Sequence, residues 1–138
     1  MEKAARITLG ASAAILAAYG AVFLIRPSVL GTLVGLEFAT ADAPVEIRAF
    51  YGGLELGMAA FLVACVRNPQ LLSAGLLFCA LAFSFAGAAR MMGILEFGMA
   101  GPAHLVVGLL ELGLAAWATW LKARLAGGPA ADTLGRAA

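Results

Sequence analysis

The sequence predicts an all-α integral membrane protein built as a four-transmembrane-helix bundle. Two observations lead there. The chain is 63% hydrophobic and 12% charged over 138 residues, whereas soluble domains run about 45–50% apolar and about 25% charged. The apolar residues also fall into four long runs, each carrying at most one charge. This composition argues against a soluble enzyme or a disordered chain. Nine basic and eight acidic residues leave a net charge of +1, with no cationic excess for a phosphate backbone, so no nucleic-acid partner is expected.

The first run, Ile7 to Ile25, has no charge in 19 residues. Arg26-Pro27 ends it. The second, Ala49 to Val66, is approached through Pro44 and holds one charge, Glu55. Arg67-Asn68-Pro69 makes a tight turn into the third, Leu71 to Ala89, which has none. Gly101-Pro102 precedes the fourth, Leu105 to Leu121, which holds Glu111. At 1.5 Å rise per residue, roughly 17–25 residues cross a hydrocarbon core, so each run qualifies. A β-barrel would need shorter, alternating segments. Between the first two runs, Val29, Leu30, Leu33 and Val34 recur at helical spacing and predict a short interfacial helix. The four helices make one domain over residues 1–125. The tail over residues 126–138 lacks apolar periodicity and is expected to be disordered.

Basic residues set the orientation. Lys3, Arg6, Arg67, Lys122, Arg124 and Arg136 share one side, and Arg26, Arg48 and Arg90 share the other. Both termini are therefore expected in the cytoplasm. The first run is longer than a signal peptide's apolar region (about 7–15 residues) and is read as retained. Trp117 and Trp120 read as an interfacial belt at the end of the fourth helix. Gly53 and Gly57, with Gly52 beside them, and Ala13, Ala14, Ala17 and Ala18 read as faces where backbones approach closely.

Cys65 and Cys79 lie at different depths and read as small buried hydrophobes. His104 is the sole histidine. Without a second His or Cys at ligand spacing it gives no metal site, and it is read as an interfacial residue capping helix four. No cofactor is implied.

Charges inside a span are costly, at roughly 2.5–3.5 kcal/mol on insertion scales, and are usually paired. Glu55 lies seven residues beyond Arg48, and Glu111 seven beyond His104. Seven residues is about two α-helical turns, roughly 10 Å, so each acid shares a face with its own rim residue. Tyr51 joins the Arg48–Glu55 face. Arg90 ends the third helix at the outer rim and can reach inward. The expectation is one buried network of Arg48, Tyr51, Glu55, Arg90 and Glu111, with His104 at its edge. It either holds the helices in register or lines an outward-facing pocket. A faint repeat accompanies it: Leu36-Glu37-Phe38 then Pro44, and Leu95-Glu96-Phe97 then Pro102. It suggests two duplicated helical hairpins.

At Glu46-Ile47-Arg48-Ala49-Phe50-Tyr51-Gly52-Gly53-Leu54-Glu55-Leu56-Gly57 the chain resembles a family of small bacterial membrane proteins classed as a domain of unknown function, itself similar to the wider DoxX-like group. The likeness extends to Arg67, to Arg90-Met91-Met92-Gly93 and to Glu111, over roughly residues 5 to 125. It implies a four-helix protein of the bacterial inner membrane without an assigned activity. Some relatives are linked to membrane redox complexes, which implies an accessory role. A slighter likeness, to four-helix eicosanoid and glutathione enzymes, rests on Arg48-Ala49 and Glu55. Gly52 stands where those enzymes have Asn, and the rest of their signature is missing.

The function expected is the binding of a small lipophilic molecule, or service to a membrane protein partner, with the bilayer as surroundings and self-association open. The alternative is a membrane-embedded enzyme with Glu55 or Glu111 as acid/base and Arg48 or Arg90 holding an anion. An ion or proton path ranks last, because the inner half shows no ionisable relay.

Overall fold

A computed structural model describes residues 1–35, 37–98 and 101–127. Its described elements are all helical, as the sequence predicts. They are α1 (Glu2–Ile25), α2 (Ser28–Val34), α3 (Asp42–Ile47), a π-helical segment (Arg48–Leu54), α4 (Glu55–Arg67), a 3₁₀ turn (Pro69–Leu71), α5 (Leu72–Phe97) and α6 (Pro102–Ala126). The short α2 occupies the place expected of the helix between the first two spans. Residues 128–138, where most of the expected tail falls, lie outside the described residues.

Four stretches are long and apolar enough to cross a membrane: Glu2–Ile25, Asp42–Arg67, Pro69–Phe97 and Pro102–Ala126. Only 22–33% of their most apolar windows is buried within protein. The surface they leave outside is bulky hydrocarbon, with Ile25 71%, Phe85 74% and Leu110 67% exposed. Water would penalise such a surface by about 25 cal/mol per Å², whereas lipid does not. The chain is a multi-pass membrane protein.

The helices stop where proline chemistry directs. Asn68, ahead of Pro69, is extended (φ −114°, ψ 112°), since a pre-proline residue is pushed out of the α region. Pro102 opens α6 from its first turn, where its missing N–H costs nothing.

The chain divides into two compact units, one of Leu9–Asn68 and one holding Met1–Thr8 with the chain from Pro69 onward. In the first, α1 runs antiparallel to the rod α3–π–α4. The two backbones nearly touch at Gly20 and Gly52. A Cβ on Gly52 would lie 2.9 Å from Leu24 Cα, and one on Gly20 would lie 3.0 Å from the Gly52 carbonyl oxygen. Beside this crossing, Phe23 meets Tyr51 edge-to-face at 6.2 Å. The close-approach residue is thus Gly52. Gly57, expected to share that role, has nothing within 4 Å of its Cβ position, and Gly53 meets only the Arg48 carbonyl at 3.7 Å.

In the second unit α5 and α6 form an antiparallel hairpin. Gly87 packs on Leu112, where an added Cβ would lie 2.8 Å from the leucine Cγ, and Gly108 lies under Met91 and Arg90. At the far end Trp117 and Trp120 stack at 5.0 Å. The Trp117 indole N–H donates to Thr8 Oγ1 at 3.0 Å, and the Arg124 guanidinium lies 5.4 Å from the Trp120 ring centre. Amphipathic rings of this kind are favoured at a headgroup layer.

Candidate functional site

The α5–α6 hairpin carries the polar centre. Arg90 Nε donates to Glu111 Oε2 at 3.0 Å, and Nη2 donates to Oε1 at 2.9 Å. This is the two-pronged fork that a planar guanidinium makes with a carboxylate. The side chains are 31% and 16% exposed.

The end of the third helix differs from expectation. The charge-free run stops at Ala89, so Arg90 is expected to end the helix. Instead α5 continues through Met91-Met92-Gly93-Ile94 to Phe97, so Arg90 lies seven residues, about 10 Å, inside the helix end. Glu111 offsets its charge, and the apolar helix carries on past it.

Above the pair opens a cavity of about 260 Å³ lined by Arg90, Gly93, Ile94, Phe97, Gly98 and His104. His104 lies in the first turn of α6. No side chain caps that helix, so the capping role expected for His104 is replaced by a place in the cavity wall. Among the described residues the imidazole makes no hydrogen bond. Leu95-Glu96-Phe97 sits inside α5, whereas Glu37 and Phe38 lie outside any helix. Glu37-Phe38 and Glu96-Phe97 therefore occupy unlike structures.

The single network expected of five residues does not form. Arg48, Tyr51 and Glu55 belong to the Leu9–Asn68 unit. There Arg48 and Glu55 make no ion pair, and the Tyr51 ring is engaged with Phe23. The cause is local. Sharing a face at seven-residue spacing requires α-helical turns throughout, but Arg48–Leu54 is π-helical. A π turn closes i→i+5 and so adds a residue, which rotates the downstream helix by about 100°. No residue in Arg48–Leu54 is β-branched, and its paired glycines, Gly52 and Gly53, place no side chain against the widened turn. Glu55 comes directly after it, and its Oε2 is buried without a hydrogen-bond partner.

A second cavity, of about 410 Å³, lies along α1 and α4 and is apolar apart from Arg67. Cys65 and Cys79 form no disulfide and are buried, as small hydrophobes would be. Among the described residues no three His, Cys, Asp or Glu side chains gather at metal-ligand distance.

Comparison with known families matches residues 4–122 to the model described as Domain of unknown function (DUF4345). The chain belongs to this family. The match runs from the start of α1 to Lys122, near the end of α6, so the π-helical segment, the ion pair and His104 all fall within the family's domain. No curated protein and no solved structure matches the chain.

Proposed function

We propose that this chain is a multi-pass protein of a bacterial inner membrane that binds a small lipophilic molecule in the cavity beside the Arg90–Glu111 pair, alone or as the accessory subunit of a membrane partner. One observation carries the reading. A charge pair is kept well inside an apolar helix, against an open space whose remaining wall is Ile94, Phe97, two glycines and His104. Intramembrane charge marks function by default. A volume of about 260 Å³ lies just under the roughly 300–1,000 Å³ of drug-sized sites and suits one ring or the end of one chain. The six-to-three split of basic residues supports cytoplasmic termini. The likeness to the DoxX-like group supports an accessory role.

The test is extraction of the full chain with its surrounding lipid, then mass spectrometry of the molecules that travel with it. A lipophile retained by the wild type should be lost in Ile94→Trp, which fills the cavity. It should be kept in Leu110→Trp, where the native side chain is 67% exposed. Equal recovery from both variants, or none from any, refutes the reading.

Membrane-embedded acid/base chemistry is the second reading, and the orphaned Glu55 Oε2 favours it there. Glu111 suits it less, because both its oxygens are held by Arg90.

A further inference from the structure

From the cavity at the mouth of the α5–α6 hairpin we infer that its occupant is an uncharged, oxygen-bearing lipophile: a ketone-, ester- or quinone-type carbonyl facing His104, with hydrocarbon against Ile94 and Phe97. This rests on the ligand-binding reading above and specifies its chemistry.

On its α6 side the wall offers hydrogen-bond donors. His104 can donate a ring N–H and has no partner among the described residues. Beside it, α6 starts without a capping side chain, and Pro102 lacks an N–H, so the orphan donors of that turn begin at Ala103. Glu111, paired with the wall residue Arg90, is engaged on both oxygens. A ligand that accepts hydrogen bonds is therefore matched on this side.

Charge then separates neutral acceptors from anionic ones. Arginine next to a cavity usually signals a phosphate or carboxylate ligand. Here the fork is already filled by Glu111 in the two-pronged geometry an anion would need. Glu96 adds a second negative charge on the last turn of α5. An anion would have to displace one carboxylate and sit near another, in surroundings where an unpaired charge is penalised. A carbonyl oxygen takes the imidazole N–H without disturbing the pair. The volume of about 260 Å³ admits a ring or a chain terminus and leaves the rest of the molecule in lipid.

Three ten-carbon probes, each with a mid-chain diazirine, test this on the full chain in nanodiscs. One ends in a methyl ketone, one in a carboxylate and one in a plain methyl. Crosslinks are mapped by peptide mass spectrometry. The ketone probe should label the segments around Ile94 and His104 about fivefold more than the methyl probe, the yield of one added hydrogen bond. It should exceed the carboxylate by more. His104→Leu should bring ketone labelling down to the methyl level, and His104→Gln, which keeps a donor, should restore part of it. Glu111→Gln should invert the order, because it frees the Arg90 charge for the carboxylate. Preference for the carboxylate in the wild type, or equal labelling by all three, overturns the chemistry while leaving the cavity as a ligand site. Labelling by none removes the ligand-binding reading itself.

Discussion

Removing Glu111 and Arg90 together should harm the α5–α6 hairpin less than the sum of removing each alone. At roughly 4 Å between charge centres and an effective dielectric near 20, the Coulomb attraction is about 4 kcal/mol. Desolvation opposes it, and Arg90 is 31% exposed while Glu111 is 16% exposed, so a net coupling of about 1–2 kcal/mol is expected. Glu111→Leu leaves a guanidinium within an apolar helix and should cost about 2–3 kcal/mol. Arg90→Met should cost a similar amount. The double variant should cost clearly less than the sum of the two. The assay is unfolding in mixed micelles by dodecyl sulfate titration, monitored by far-ultraviolet circular dichroism on all four members of the cycle. A coupling below about 0.5 kcal/mol would mean that the fork seen between Nε, Nη2 and the carboxylate contributes no measurable stability.

The packing sets four further outcomes. Gly52→Ala should destabilise by about 1–3 kcal/mol in the same titration, since its Cβ meets Leu24 backbone at 2.9 Å. Gly57→Ala, with nothing within 4 Å, should be neutral or slightly stabilising. Trp117 and Trp120 fluorescence should be quenched best by lipids brominated near the headgroup; stronger quenching from the chain ends would place the pair away from the interface. Cys65 and Cys79, buried and not joined in a disulfide, should resist a membrane-impermeant maleimide until the chain is unfolded, and rapid reaction of either would contradict that burial.

Much of this fold is legible in the sequence because the hydrocarbon thickness imposes a length on every span and proline marks the ends. Where the sequence misleads, two assumptions are at fault. The first takes a charge as the end of a span. That holds for Arg67, which closes α4, and fails for Arg90, because α5 continues seven residues beyond it to Phe97. The second assumes α-helical phase throughout. The assumption holds in α6, where His104 and Glu111 lie seven apart on a regular helix and both reach Arg90's surroundings. Between Arg48 and Glu55 the same spacing spans a π-helical segment and the shared face is lost. Adjacent glycines at 52 and 53 are the available signal for that irregularity, but they read equally well as a packing face. Only Gly52 serves as one. Its partner Gly20 carries little signal in the sequence, because no second glycine lies four residues from it.

The most direct test of the polar centre is a carbon–carbon distance between Arg90 Cζ and Glu111 Cδ, measured by solid-state magnetic resonance on labelled chain in bilayers. The fork requires a separation of about 4 Å. A distance beyond about 6 Å in the folded, membrane-inserted protein would mean the two charges are not joined, and the site built on them would fall.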